Sequence, residues 1–198
     1  MGCLVWMTTN LSFDDLMRRI ITAGFGIVAV FATTASLSAK GDMVLIEIRG
    51  GALAVPLKIT DAKITDFNMW AGPGVNGTTL DNAPGGFIAD WKQGALTIPP
   101  TGVTRYDVRF YVGCRTIPTP SCLQEPPALC YDVSYAYDPS SAHGFIYFPG
   151  KGEPTYYLNT GTMYHGDRVE GHWFVATTAW EQFVRPLIVK ARASSATR

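Results

Sequence analysis

The feature of this sequence that most restricts its fold is an alternation of apolar and polar residues with a period of two. In the segment RYDVRFYVG, the even positions from 106 to 112 are apolar or aromatic, and Asp107 and Arg109 lie between them. The segment CYDVSYAYD repeats the pattern, with Asp132 and Ser134 on the second face. Because side chains alternate between the two faces of a β-strand, both segments are predicted to be half-buried strands. Together they predict a hairpin.

Other short segments combine strand-forming residues with flanking turn signals. They are residues 43–49, 53–60, 62–70, 86–91, 144–148, 155–159 and 172–176. Glycines in the turns at 49–51 and 149–152 can adopt the positive φ that tight turns require. Pro56 predicts an edge position or a bulge, because proline cannot donate a hydrogen bond to a neighbouring strand. Short strands in this number predict a mainly β fold, an antiparallel β-sandwich or a barrel-like domain.

The periodicity changes near the C-terminus, in TTAWEQFVRPLIVKAR. Its apolar residues recur at the i, i+3, i+4, i+7 and i+8 spacing of one helical face, and they are Trp180, Phe183, Val184, Leu187 and Ile188. This spacing predicts one C-terminal α-helix over about residues 178–192 that packs its apolar stripe on the sheet.

Local signals predict how that helix begins and ends. Thr178 with Glu181 three residues later predicts a capping box. Pro186 lacks a backbone donor inside the pattern, which predicts a kink or two short helices that meet there. Residues 193–198 contain little to bury and are predicted to form a flexible tail.

A secretory signal peptide is predicted before the β-rich domain. Arg18 and Arg19 precede an apolar run over about residues 20–31, and small residues follow it up to Ala39. Cleavage after residue 39, 35 or 38 is compatible with this layout, and translation from Met17 would give a signal of ordinary length. Residues 1–39 are thus predicted to be a leader and signal peptide, before a single domain over residues 40–192 that is periplasmic or secreted. The alternative is an uncleaved membrane anchor.

Export would leave three cysteines in the mature chain, Cys114, Cys122 and Cys130. An oxidising compartment favours one disulfide and one spare thiol, and the sequence allows each of the pairings. The Cys114–Cys130 pair is favoured because it closes the largest loop, and Cys122 is the alternative partner. Strand alternation places Cys114 on the face of Val112 and Cys130 on the face opposite Tyr131, so this pair would need a β-bulge.

Charge and motifs exclude several functional classes. The chain has 16 basic and 16 acidic residues, so it has no net positive charge to attract a nucleic acid, and none is expected as a partner. No G-x-S-x-G elbow and no G-x-x-x-x-G-K-S/T loop is present, so serine esterases of that design and P-loop nucleotide enzymes are not indicated.

The segment YHGDRVEGHW could bind a divalent metal ion. It brings His165, Asp167, Glu170 and His172 together, and imidazole with carboxylate is an ordinary ligand set for zinc. The spacing matches no metalloprotease motif, and the two glycines favour a polar turn that leads into a strand. The turn is therefore the favoured interpretation, no cofactor is expected, and a metal ion is the alternative.

Aromatic residues and carboxylates form a second candidate site. Trp70 and Trp91 lie at the ends of predicted strands, with Asp66 and Asp90 close to them in sequence. Such rings can stack on a ligand, and two carboxylates can act together in glycosidases. The alternative is that the aromatic residues fill the core, where large rings contribute most to stability.

These patterns favour a binding module over an enzyme. The expected partner is an envelope protein or a glycan, bound by the aromatic-rich sheet or by the long glycine-containing loop over residues 71–84. The alternative is a metal-assisted hydrolase that uses the segment from His165 to His172. A purely structural envelope component is a third hypothesis.

Overall fold

One antiparallel sheet and one long helix make up most of the described protein. The computed structural model describes residues 43–67, 87–113, 124–160 and 169–196. The strands of the sheet are β1 (Met43–Gly50), β2 (Leu57–Ile59), β3 (Thr104–Val112), β4 (Ala128–Tyr137), β5 (Phe145–Tyr147) and β6 (Trp173–Val175). The helices are the 3₁₀ turns η1 (Ala62–Asp66) and η2 (Trp91–Gln93), the short α1 (Tyr156–Thr160) and the long α2 (Thr178–Ala196).

The six strands lie in the order β2-β1-β3-β4-β5-β6, and each pairs antiparallel with its neighbours. The predicted hairpin is confirmed, because β3 and β4 pair from Thr104 opposite Tyr137 to Val112 opposite Ala128. The mainly β fold with one C-terminal helix is confirmed as well. The sheet is open, with β2 and β6 as its edges, so it is not closed into a barrel and the barrel-like alternative is wrong.

The expected sandwich is also not found, because the described residues contain a single sheet. A helix takes the place of a second sheet. Helix α2 packs on one face of the sheet, which we call the core face, and contributes the fully buried Trp180, Val184 and Ile188. Large rings make up much of the core, and the largest fully buried ones are Trp180, Tyr106, Tyr131, Tyr135, Tyr137, Phe87, Phe110, Phe148 and Phe174.

Two segments predicted as strands are helical instead. Residues 62–66 form η1, because the Asp61 carboxylate accepts from the Lys63 backbone N–H at 2.8 Å and the Thr65 hydroxyl donates to the Ala62 carbonyl. Side chains that satisfy nearby backbone groups favour a turn over a strand. Residues 156–160 form α1, in which the side chain of Asn159 reaches β4.

The segment predicted as a strand over 86–91 follows the outer edge of β6 for only a short distance. Ala89 forms a single bridge with Ala176, and the Asp90 N–H donates to the Val175 carbonyl at 2.8 Å. Asp90 then caps η2, which ends the extended conformation at Trp91. At the opposite edge of the sheet, the edge strand β2 begins directly after Pro56. This agrees with one of the two positions predicted for this proline, an edge or a bulge.

Helix α2 begins one residue earlier than the predicted capping box requires. The hydroxyl of Thr177, not Thr178, accepts from the Trp180 N–H at 3.3 Å. The carboxylate of Glu181 points to Tyr135 and Arg185 and not to the helix cap. The helix runs as a single element through Pro186, so of the two alternatives predicted there, a kink or two short helices, the second is wrong.

A β-bulge between β3 and β4 interrupts the alternation of side chains between the two sheet faces at Cys130. Phe110 lies opposite Tyr131 but Tyr111 lies opposite Leu129, so Cys130 is the extra residue. Cys130 is 2% exposed and belongs to the hydrophobic core. The bulge that the Cys114–Cys130 pairing would need is therefore present, while both proposed partners, Cys114 and Cys122, lie outside the described residues.

The turn between β1 and β2 requires glycine for two reasons. Gly51 has φ +56°, a conformation that L-residues with side chains rarely adopt. A Cβ atom at Gly51 would also overlap the ring of Tyr106. The turn predicted from the sequence at residues 49–51 is confirmed, and it closes one end of the aromatic core.

Candidate functional site

The sheet face opposite the core face carries charged residues in register. Across β2, β1, β3 and β4, one row reads Lys58, Glu47, Arg109 and Asp132, so the sign of the charge alternates from strand to strand. Opposite charges on paired strands attract each other. We call this surface the polar face, and its residues are Lys58, Glu47, Arg49, Arg105, Asp107, Arg109, Tyr111, Asp132, Ser134, Tyr147 and Trp173.

Glu47 is the centre of the first group on the polar face. It is 4% exposed, and its Oε2 atom accepts from Arg49 Nε at 2.8 Å and from the Tyr111 hydroxyl at 3.1 Å. Burial raises the pKa of Tyr111, and the hydrogen bond and charge of Glu47 raise it further. The tyrosine therefore remains a neutral donor, and Glu47 is held on two sides.

Asp132 is the centre of the second group. It is 5% exposed, and Arg109 Nε donates to its Oδ2 atom at 3.0 Å. Burial raises the pKa of Asp132 above its ordinary value, and the charge of Arg109 opposes this rise. Burial also lowers the pKa of Arg109, but Asp132 and Tyr111 outweigh that effect, so this pKa is raised.

Asn159 of α1 fixes the backbone of β4 beside this ion pair. Its side-chain oxygen accepts from the Asp132 N–H at 3.0 Å, and its side-chain nitrogen donates to the Asp132 carbonyl at 2.8 Å. Strand β5 pairs with β4 only over residues 134–136, so Asn159 satisfies backbone groups that β5 does not reach. Asn159 is 0% exposed. Its two hydrogen bonds satisfy the buried backbone groups of Asp132 in the way that a residue of a neighbouring strand would.

Aromatic rings occupy the other end of the polar face. Tyr147 and Trp173 are register partners on β5 and β6, with ring centroids 4.9 Å apart. The guanidinium of Arg105 lies 4.9 Å from the centroid of Trp173. The Tyr147 hydroxyl donates to Glu153 Oε2 at 2.9 Å, which ties this ring to the following loop. We call the set Arg105, Trp173, Tyr147 and Glu153 the arginine–aromatic stack.

A separate polar cluster lies on the core face, under α2. The Tyr135 hydroxyl donates to Glu181 Oε1 at 2.7 Å, and Arg185 pairs with the same carboxylate and lies over the ring of Tyr137. Burial raises the pKa of Glu181 and of Tyr135, and burial with the nearby Tyr137 raises the pKa of Tyr106 to about 12. These groups bind one another between sheet and helix, so we assign them to the anchoring of α2.

The aromatic–carboxylate site predicted from the sequence is not brought together by any contact among the described residues. Trp91 is 2% exposed, and its ring lies 5.1 Å from both Phe148 and Phe174 in the core. Its position agrees with the alternative in which aromatic residues fill the interior. Asp90 caps η2 and Asp66 ends η1, while Trp70 lies outside the described residues.

Half of the predicted metal cluster can be described. The His172 N–H donates to the Val169 carbonyl at 3.3 Å, and Gly171 has φ +75°, so residues 169–172 form a turn. His172 Nδ1 lies 2.8 Å from the Glu170 carbonyl oxygen. His165 and Asp167 lie outside the described residues, within which no group of three potential metal ligands occurs.

Comparisons with known proteins do not supply a function. The chain matches no protein-family model, and searches of curated proteins and of solved structures gave no match either. Across the residues described here, no helix is both long enough and apolar enough to span a membrane. The function is therefore inferred from the polar face.

Sequence reasoning missed the polar face, although part of its signal was visible. Asp107, Arg109 and Asp132 are the polar partners in the two alternating segments. Their alternation showed that each strand has a second face, but it did not show which charges would be neighbours. The pairing of Glu47 with Arg109 depends on the register of β1 against β3, which joins residues far apart in the chain.

Proposed function

We propose that this protein is a non-catalytic binding module and that its polar face binds a glycan. The observation that carries the proposal is the charged row across four strands, with two carboxylates that are 4% and 5% exposed. A buried ion pair is weak evidence for stability, because apolar residues of similar size often stabilise as well. The two buried carboxylates hold the more exposed Arg49 and Arg109 on rigid strands, and donors held in this way are suited to positioning hydrogen bonds for a ligand.

The composition of the polar face favours a glycan over a protein partner. The cores of protein–protein interfaces are depleted in charged residues, whereas charges occupy the centre of this face. A sugar presents many hydroxyl groups, and the exposed Asp107 and the half-buried Arg109 can accept from and donate to them. Tyr147 and Trp173 add rings at one end of the face, and apolar lining with a few polar groups is typical of ligand sites.

Blocking the centre of the polar face provides the test. Ser134 is half-buried and lies between Asp107 on β3 and Tyr147 on β5. In S134Y a large ring would cover the middle of the face, so we expect at least a tenfold weaker glycan affinity with an unchanged melting temperature. The measurement is binding to a microarray of neutral and acidic saccharides, followed by titration calorimetry with the best saccharide.

S194Y is the matched control, because Ser194 is exposed on α2, away from the polar face. It should bind as the unmodified protein does. Absence of binding to every saccharide would reject the glycan proposal and leave an envelope protein as the partner to consider. Equal binding by S134Y would show that the glycan site lies elsewhere.

We also propose that the mature protein is exported, to the periplasm or outside the cell, after removal of its leader. The apolar run behind Arg18 and Arg19, followed by small residues up to Ala39, supports this proposal. The bulge at Cys130 supplies the change of parity that the Cys114–Cys130 disulfide needs, but the register places Cys130 beside Tyr111, three residues before Cys114, so both pairings of Cys130 stay open.

The second candidate function is a metal-assisted hydrolase centred on the segment from His165 to His172. One observation favours it: Glu170 Oε2 is buried and has no hydrogen-bond partner within the described part of the chain. Such an atom is a suitable metal ligand. The contact of His172 Nδ1 with a carbonyl would also leave Nε2 as the nitrogen that can bind a metal.

Native mass spectrometry of the protein isolated from its own host tests export and metal binding together. We expect an N-terminus near residue 40, one disulfide, and no bound metal ion. A full-length chain with all cysteines reduced would reject export. A stoichiometric metal ion that is absent from the H165A and H172A variants would favour the hydrolase over the binding module.

A further inference from the structure

The charges of the polar face are unevenly neutralised. Arg49 pairs with Glu47 and Arg109 pairs with Asp132. Arg105 is exposed, and within the described residues its guanidinium has no ion pair and no hydrogen bond, only the ring of Trp173 beneath it. Arg105 is therefore the arginine of this face whose charge no carboxylate among the described residues neutralises.

The register explains why Arg105 has no carboxylate beside it. Its partner on β4 is Ala136, and this row continues through Phe145 to Val175, so the neighbours across the sheet are apolar. Asp107 lies two residues away on the same strand, and its register partner on β1 is Arg49, which forms its ion pair with Glu47. An incoming anion would thus meet Arg105 beside an apolar row, with the exposed Asp107 two residues away along β3 and with Glu153 bound to the Tyr147 hydroxyl.

The arginine–aromatic stack holds the guanidinium in place. Trp173 is 6% exposed, and its ring contacts both Arg105 and Tyr147, whose hydroxyl donates to Glu153. Contact with the tryptophan ring restrains the guanidinium, and no described residue forms a hydrogen bond with its N–H groups, so less entropy is lost on binding. A planar carboxylate accepts two parallel hydrogen bonds from a guanidinium edge.

We propose that the glycan bound by the polar face is acidic, with a sugar carboxylate recognised by Arg105. This inference rests on the proposed function and deepens it, since it assigns the chemical class of the ligand and one specificity-determining residue. The sugar ring would lie toward Ser134 and the charged row, and its carboxylate would meet the guanidinium over Trp173.

The test compares acidic polysaccharides with their carboxyl-reduced forms. The probes are alginate, polygalacturonate and hyaluronate, each beside the same polymer after chemical reduction of its carboxyl groups, with dextran sulfate as a second anion. We expect binding to at least one uronate polymer, a loss of about tenfold or more on carboxyl reduction, and a similar loss in R105Q. R105K should recover only part of the affinity, because lysine lacks the planar edge.

The control variant is K63Q, which removes one exposed positive charge from η1 and should bind like the unmodified protein. Equal binding to the acidic and reduced polymers, or unchanged binding by R105Q, would overturn the assignment of Arg105 but leave glycan binding intact. Equal binding to dextran sulfate would overturn the choice of a carboxylate. Binding to none of the probes in either form would overturn the inference and the glycan proposal together.

Discussion

Replacing Trp180 with alanine should lower the free energy of unfolding by about 3–5 kcal/mol, the loss typical for large aromatic residues in a core. Trp180 is 0% exposed, and its ring lies 5.2 Å from Phe67 and 5.9 Å from Tyr135, with both contacts edge-to-face. The variant would lose these contacts and leave a cavity between α2 and the sheet. Urea unfolding followed by circular dichroism measures the change.

V189A provides the control on the same helix. Val189 is 56% exposed, so its truncation should change stability by less than about 0.5 kcal/mol. If W180A lowered stability by less than about 1 kcal/mol, the packing of α2 on the core face described here would be incorrect. A large loss with a preserved far-ultraviolet spectrum in water would confirm that the helix is held by this contact.

Replacing Arg109 with methionine should destabilise the protein by about 3 kcal/mol at pH 7, because it leaves the buried charge of Asp132 without a partner. Asp132 is 5% exposed, and Arg109 is its partner in the described ion pairs. In the variant only burial and neighbouring charges act on the carboxylate, so its pKa in the folded state should rise further.

The pH dependence gives this prediction a clear sign. Because burial raises the pKa of Asp132 in the folded state, the folded state binds the proton more tightly than the unfolded state does. The resulting stabilisation is present at low pH and is lost as pH rises through the folded-state pKa. The deficit of R109M relative to the unmodified protein should therefore shrink as pH falls from 7 toward the ordinary aspartate pKa, about 4.

The double variant R109M/D132L separates this effect from a loss of packing. It removes both charges, and it leaves the bonds of Asn159 in place because they involve only the backbone of residue 132. We expect most of the stability to return, since apolar replacement of a whole buried ion pair is often neutral or stabilising. A pH-independent deficit in R109M, or no recovery in the double variant, would contradict the role assigned to the ion pair.

The core face stabilises the protein and the polar face is the proposed binding surface, and residues of both faces alternate along the same strands. Tyr131 and Val133 bury their side chains against the core, while Asp132 between them points to the polar face. The packing of the core residues therefore determines where the charges of the polar face lie. Substitutions on the core face should change stability, whereas those at Ser134 and Arg105 should change binding.

The candidate sites show where prediction from sequence reached its limit. The metal hypothesis was drawn from residues close together in the chain, yet Glu170 and His172 lie in a turn of the kind that the favoured interpretation described. Asp66 and Asp90 likewise serve as local ends of 3₁₀ turns. The polar face joins β1, β3 and β4, and its neighbours are separated by tens of residues, so proximity in sequence could not identify it.

The sequence by itself determined the alternation that makes β3 and β4 two-faced strands, the glycine turn at 49–51 and the apolar stripe of α2. Each depends on local chemistry: side-chain direction along a strand, positive φ and helical periodicity. Only the tertiary structure decided the open sheet, the bulge at Cys130, the helical form of residues 156–160 and the alternating charges of the polar face. These features depend on the register between distant segments, which is selected by the packing of the whole core and not by any one stretch of the chain.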